Sequence, residues 1–379
     1  MMPLILYSLS RFILCYQPEV SWPETRNLLC PIKMPLYYAG LNPSSFYSGK
    51  YTVEKFTEIP FTDITDVYID WNYLLLWRYT ELWITGTIGD LQNPVLTCPK
   101  ELKIPDNASG RCLSATGGVD NITILTSNNE IWRYKIYEKS WKKVPRFIPL
   151  KDDGDETVEK IVKMDQGKVV VALTNLGRVF NVPALVEMPE GVKFIDISCG
   201  LEHTLMLAEN GDVYSMGLGT RGQLGHCDLE DSDEPKLVEA LAGLKVSQIS
   251  AAGWCSAAVV EEGDLYVWGW NNEGQLGLGD DQKVVAVPTV VDFKDECEET
   301  LELRIVKVQC TSSFVICLTD NGELWGCGSN KYGQMGQDKK LFPGAKRFMK
   351  IPIDFNGNHV EDFKCRARGT LIFTSRDDR

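Results

Sequence analysis

The chain has 379 residues, 44% of them hydrophobic, with ten tryptophans and a formal net charge of −13. That is enough apolar material for a large core, and the acidic balance argues against broad binding to a nucleic-acid backbone, which depends on Lys and Arg neutralising phosphates. The twelve cysteines include no Cys-x-x-Cys pair, which points to small buried thiols in a reducing, intracellular setting rather than to a disulfide framework.

Residues 1–33 stand outside the pattern that organises the rest. Met1–Tyr16 is apolar but interrupted by Arg11, lacks a basic leading segment and is too short to span a bilayer. The segment reads as an extension ahead of a core that begins near Met34, and no membrane association is expected.

From there the chain runs through short apolar, alternating stretches. Leu36-Tyr-Tyr-Ala-Gly40-Leu-Asn is the first. Trp71–Trp77 with Thr80–Gly86, Gly118–Leu125 with Asn129–Trp132, and Asp165–Leu173 with Gly177–Phe180 are paired runs separated by turn residues. Three sharper copies follow. Gly200-Leu-Glu-His203-Thr leads to Gly211, Gly217 and the tetrapeptide Gly222-Gln-Leu-Gly225. Ala252-Gly-Trp254-Cys255-Ser leads to Gly263, Gly269 and Gly274-Gln-Leu-Gly277. Thr311-Ser-Ser-Phe314-Val leads to Gly322, Gly328 and Gly333-Gln-Met-Gly336. Each reads as two β-rich runs around a glycine hairpin turn, followed by an irregular loop closed by the tetrapeptide.

Equivalent glycines recur after 52 residues (Gly211 to Gly263) and then 59 (Gly263 to Gly322). A repeat of this length marks stacked units that cannot bury their faces alone. Imposing the same offsets on the weaker runs gives six units, with Asn129 replacing a turn glycine and Pro183 standing where Gly217 does. The seventh is split: Cys365–Thr374 supplies its first run and Leu36–Asn42 its second. The expected fold is therefore all-β, a single seven-bladed β-propeller over 34–379, closed by a blade shared between the N- and C-termini. Such closure removes free sheet edges.

The repeat absorbs most residues that could otherwise suggest a site. Gly217-Leu-Gly-Thr-Arg-Gly222 spells a dinucleotide fingerprint, but no helix pattern follows, and Asn271 and Asn330 replace its second glycine in the sister copies. His203 has Cys255 and Phe314 as counterparts, so it reads as a histidine packed between blades. Zinc would need His203 and Cys255 to find two further ligands. With three histidines in all and no recurring nucleophile–base pair, no catalytic residue, metal or cofactor is expected. Gly200, Gly211, Gly217, Gly222, Gly225, Gly263, Gly269, Gly274, Gly277, Gly322, Gly328, Gly333 and Gly336 are read as structural. The acidic connectors Lys151–Glu156, Asp228–Glu234 and Asp292–Glu299 are read as solvated loops. The post-strand residues Arg221, Trp270, Asn272, Lys331 and Tyr332, together with Trp254, are expected to share one face. There they could form an aromatic and cationic contact surface for a protein partner.

The composite Gly-x-x-His-Ser/Thr … Gly-x-Val/Leu-Tyr/Trp-x-Trp/Met-Gly … Gly-Gln-Leu/Met-Gly resembles the repeat of the regulator of chromosome condensation family, whose members are seven-bladed propellers. Met34-Pro-Leu-Tyr-Tyr-Ala-Gly-Leu-Asn, Gly-Gln-Leu-Gly-His226 and Trp268-Gly-Trp-Asn271 add to the likeness. It implies a non-catalytic, monomeric adaptor in nucleus and cytosol, indirectly associated with chromatin and paired with a Jumonji-C oxygenase of the histone demethylase type. The alternative it implies is a guanine-nucleotide exchange factor for a small GTPase, for which Gly279–Arg304 is the longest connector able to serve as a wedge. Cys255 and Phe314 depart from the family's histidine.

Overall fold

Seven four-stranded antiparallel sheets make up the computed structural model, which describes residues 35–42, 51–59, 64–78, 81–86, 96–148, 158–355 and 357–375. Six blades run consecutively along the chain: 64–101, 112–143, 161–185, 194–237, 246–290 and 305–350. In each, strand order in the sheet follows strand order in sequence. The sequence expectation captured only the two middle strands of a blade; a further strand precedes them and another follows.

The seventh blade is built from both ends of the described chain. Its order is Thr52–Glu58, Leu36–Leu41, Gly369–Ser375, His359–Arg366. Leu36 pairs with Phe373 and Gly40 with Gly369 in an antiparallel register, so the split unit closes as its residue pattern requires. The first strands of successive blades touch one another in an unbroken ring, ending with His359–Arg366 against Ile64–Ile69. The protein is a closed seven-bladed β-propeller. The segment 1–33 and the connector 151–156 lie outside the described residues.

The core sits between blades. Leu205, Leu207 and Val213 of blade four pack with Val246, Ile249 and Trp268 of blade five. Blade five in turn meets blade six through Val267, Val308, Val315 and Phe348. Trp268 is fully buried, and its indole N–H donates to the Gln223 carbonyl of the preceding blade at 2.9 Å. Burial of each such side chain contributes about 1.5–3 kcal/mol, and most of it depends on the neighbouring blade being present.

One acidic connector is not loop throughout. Ser232–Leu237 forms the outer strand of blade four, so the end of Asp228–Glu234 is hydrogen-bonded sheet. An edge strand with one face toward solvent tolerates charged residues, which hides it from a search for alternating apolar positions. The stretch Gly279–Arg304 likewise contains an outer strand, Val284–Val290, and a bridge between Lys294 and Thr300.

Candidate protein-binding face

Because strands alternate in direction, the turn between first and second strands and the loop between third and fourth strands leave a blade at the same edge. In blades four to six that loop carries the Gly-Gln-Leu/Met-Gly tetrapeptide, whose glutamine holds the loop shut. Gln223 Oε1 accepts the Arg221 N–H, Gln275 Oε1 the Glu273 N–H and Gln334 Oε1 the Tyr332 N–H, each at 2.8 Å. The central Leu224, Leu276 and Met335 are buried. The flanking glycines press on the next blade: a Cβ on Gly222 would lie 2.8 Å from Ala286 Cα, on Gly274 3.0 Å from Lys346 Cα, and on Gly333 2.5 Å from Glu54 Cα. The side chain that would meet Gly225 is Trp268, that at Gly277 is Phe348 and that at Gly336 is Phe56. The tetrapeptide is thus a latch between blades, and sequence spacing alone gave no sign of its partner.

Arg221 projects from this latch in blade four over blade five. Its guanidinium carbon lies 4.4 Å from the Trp270 ring centre and 5.8 Å from that of Trp254. Tyr332 occupies the same repeat position in blade six, one residue before the latch. It faces Arg368 of blade seven at 4.5 Å and accepts a hydrogen bond from it. Arg368 stands at the repeat position of Trp254, one residue before the second strand. The two clusters therefore use the same pair of positions with cation and ring exchanged. Arg368 also lies 4.0 Å from the ring centre of Trp71, on blade one.

Arg221, Asn272 and Lys331 are exposed, whereas Trp254, Trp270 and Tyr332 are half-buried beneath their cations. All six expected residues lie on this one face; Arg368 and Trp71 join them, unforeseen because they sit in blades with degenerate repeats. Cation–π pairs of this kind contribute about 0.5–1 kcal/mol when exposed. The same face exposes Trp71, Val119, Val169, Leu201 and Leu218, one or two from each of blades one to four.

Toward the axis, the first strands are stitched to one another. The N–H groups of Cys199, Ala251, Cys310 and Cys365 donate to Asp165, Ser198, Ser250 and Gln309 of the preceding blade. Ion pairs Lys163–Asp196, Lys307–Asp362 and Lys364–Asp66 line the channel below. These acceptors share one repeat position but not one residue type, so no sequence pattern announces them. Cys199, Cys310 and Cys365 are buried, and all ten cysteines among the described residues are free, with Cys98, Cys227 and Cys297 exposed.

His203 is buried, with Nε2 2.9 Å from Ser256 Oγ of blade five. Burial pushes its pKa down to about 3, so the ring is neutral at ordinary pH. The Ser256 hydroxyl also lies 2.9 Å from the Gln223 carbonyl, to which it must donate; the ring then donates from Nε2, leaving Nδ1 a bare acceptor. A second histidine–serine pair, His226 with Ser215, is likewise spent on the Leu224 carbonyl. Both serines are fully buried, and no carboxylate orients either ring, so neither pair has the geometry of an activated nucleophile. Among the described residues no three His, Cys, Asp or Glu side chains group to hold a metal, and no helix is long and apolar enough to cross a membrane.

Closed blades and latched loops define a β-propeller built from repeats, with arginines over aromatic rings on one face. Residues 210–259 and 262–318 match the Regulator of chromosome condensation (RCC1) repeat, and a second profile of the same description matches 194–223 and 305–334. The chain thus carries RCC1 repeats within residues 194–334. Human RCC1 domain-containing protein 1 is 36% identical over 208 residues, covering 47% of this chain and 55% of the relative. Its Mus musculus counterpart is 35% identical over 169 residues, covering 37% and 45%. The matched stretch thus spans about half the length of these curated relatives. Among solved structures, Prp20p from Saccharomyces cerevisiae superposes with a TM-score of 0.72 at 17% identity over 92% of this chain and 94% of that one, which shows the shared fold.

Proposed function

We propose that this protein is a non-catalytic adaptor that presents the Arg221–Trp270 and Tyr332–Arg368 face to a protein partner. The observation that carries this reading is the paired cation–aromatic arrangement on one face, with half-exposed rings of the type that dominates binding hot spots. Prp20p is described as binding Gsp1p and histones, which supports protein recognition as the use of such a propeller. By likeness to RCC1 domain-containing protein 1, the partner is a Jumonji-C oxygenase of the histone demethylase type, and the setting is chromatin in the nucleus, with a cytosolic pool.

The alternative, nucleotide exchange on a small GTPase, needs a protruding wedge. Gly279–Arg304 offers little free length, because Val284–Val290 is sheet and Asp295 closes a turn on Cys297 and Glu299. Two assays separate the readings. Affinity capture from nuclear extract should enrich a Jumonji-C oxygenase with the wild-type protein and lose it with the Arg221→Ala/Trp270→Ala double variant. Release of labelled nucleotide from a GTPase panel should stay at its spontaneous rate. Accelerated release from any panel member would replace the adaptor reading with the exchange reading.

A further inference from the structure

A cleft of about 200 Å³ opens between blades three and four on the same face. Its apolar lining comes from Val169, Leu201, Leu218 and Met216, the first three also exposed at the surface. Beside the Thr204 and Ser232 hydroxyls, its polar lining brings several acceptors. Glu202 and Asp233 bring carboxylates. Asn181 Oδ1 and His203 Nδ1 are buried atoms without a hydrogen-bond partner among the described residues, and His203 itself is 3% exposed.

Orphaned acceptors beside carboxylates and an apolar wall call for a ligand with several donors, a positive charge and an aliphatic stem. The cleft has room for one long side chain and not for a folded loop. Its surroundings carry the same sign: Asp228, Glu230, Asp231, Asp233 and Glu234 crowd the adjoining stretch of blade four, offset by Lys236 near Asp228. The one cation lining the cleft, Lys168, reaches Glu202 at 3.0 Å while 72% exposed, a solvated pair worth little that an incoming cation can displace.

We propose that this cleft receives an arginine side chain of the partner, its stem against Leu201, Leu218 and Val169 and its guanidinium between Glu202 and Asp233. The planar, five-donor fork of arginine suits divided acceptors better than the point charge of lysine. The inference rests on the reading of this face as protein-binding and adds the chemistry of one anchor.

The test uses the whole protein with methyl-labelled Leu and Val and short capped peptides that differ only in a central arginine, citrulline or glutamate. The arginine peptide should shift the methyls of Leu201, Leu218 and Val169, and should bind about tenfold more tightly than the citrulline peptide, the usual scale for a lost charge-assisted contact. The Glu202→Gln/Asp233→Asn variant, altered only at residues near the surface, should melt like the wild type and lose that preference. Equal affinity for arginine and citrulline peptides, or an unchanged preference in the variant, would overturn the assignment. Shifts confined to residues around Trp254 and Trp270 would overturn it too, while leaving the protein-binding reading of the face intact.

Discussion

Arg366 Nη1 lies 3.1 Å from Asp165 Oδ1, although the residues are 201 positions apart and belong to blades seven and three. The arginine reaches over the channel mouth from the end of its first strand, passing the Tyr68 ring of blade one at 4.8 Å. Asp165 meanwhile accepts the Cys199 N–H of blade four at 2.7 Å. The Arg366 side chain thus links its own blade seven to blades one and three.

Arg366→Met should therefore destabilise the ring as a whole. Both partners are partly exposed, so the expected loss is about 1–3 kcal/mol, below that for removing one half of a fully buried pair. Thermal melting checks it; an unchanged Tm would mean the span is incidental.

Closure by the termini makes a second demand. Leu371 and Ile372 are fully buried in the strand that joins both ends of the chain. Ile372→Ala should cost about 2–5 kcal/mol, and removal of the chain from Gly369 onward should abolish cooperative unfolding of all seven blades. A truncated protein melting at the wild-type temperature would show that the ring does not depend on this blade.

These features divide cleanly by what a sequence can carry. The middle strands, their hairpin turns and the split blade were legible because positive-φ glycines and alternating apolar runs recur at fixed offsets; even Asn129, at φ 62°, fits the turn it was assigned. The first-strand ladder was not legible, since Asp165, Ser198, Ser250 and Gln309 do one job with different side chains. Outer strands such as Ser232–Leu237 escaped because solvent accepts almost any residue there. Of the face, the latch residues were found, while Trp71 and Arg368 lay in copies too worn to align with confidence in their loops.

Gly269 sets a sharper steric test. Its φ is +102°, and a Cβ there would fall 2.2 Å from the Trp254 carbonyl oxygen; Gly217 and Gly328 face the same clash at 2.4 Å. Gly269→Ala should cost about 3 kcal/mol or more from strain plus displacement of backbone. Gly322 has φ +83° with nothing within 4 Å, so Gly322→Ala should cost only about 1 kcal/mol. Denaturant titration of the pair checks the order; equal losses would refute the steric argument.

His203 predicts an acid limb. Its folded pKa, about 3, lies below the ordinary value of about 6.5, so between those values the unfolded chain binds the proton and the folded protein does not. Stability is complete above pH 6.5 and falls as pH drops toward 3, by up to about 1.4 kcal/mol per unit. His203→Phe, the residue type that blade six carries as Phe314, should flatten that limb. An unaltered pH dependence in the variant would show that His203 is not the group responsible.

The central claim, that the arginine–aromatic face binds a protein partner, is tested most directly by measuring Tm and Kd together for Trp270→Ala and Tyr332→Ala. Both rings are half-buried beneath a cation from the neighbouring blade, so each truncation should cost stability no more than about 1 kcal/mol. Affinity for the captured partner should weaken by about 1–3 kcal/mol, roughly five- to more than a hundred-fold in Kd. A large fall in Tm with Kd per folded molecule unchanged would contradict the account and make both rings part of the packing between blades.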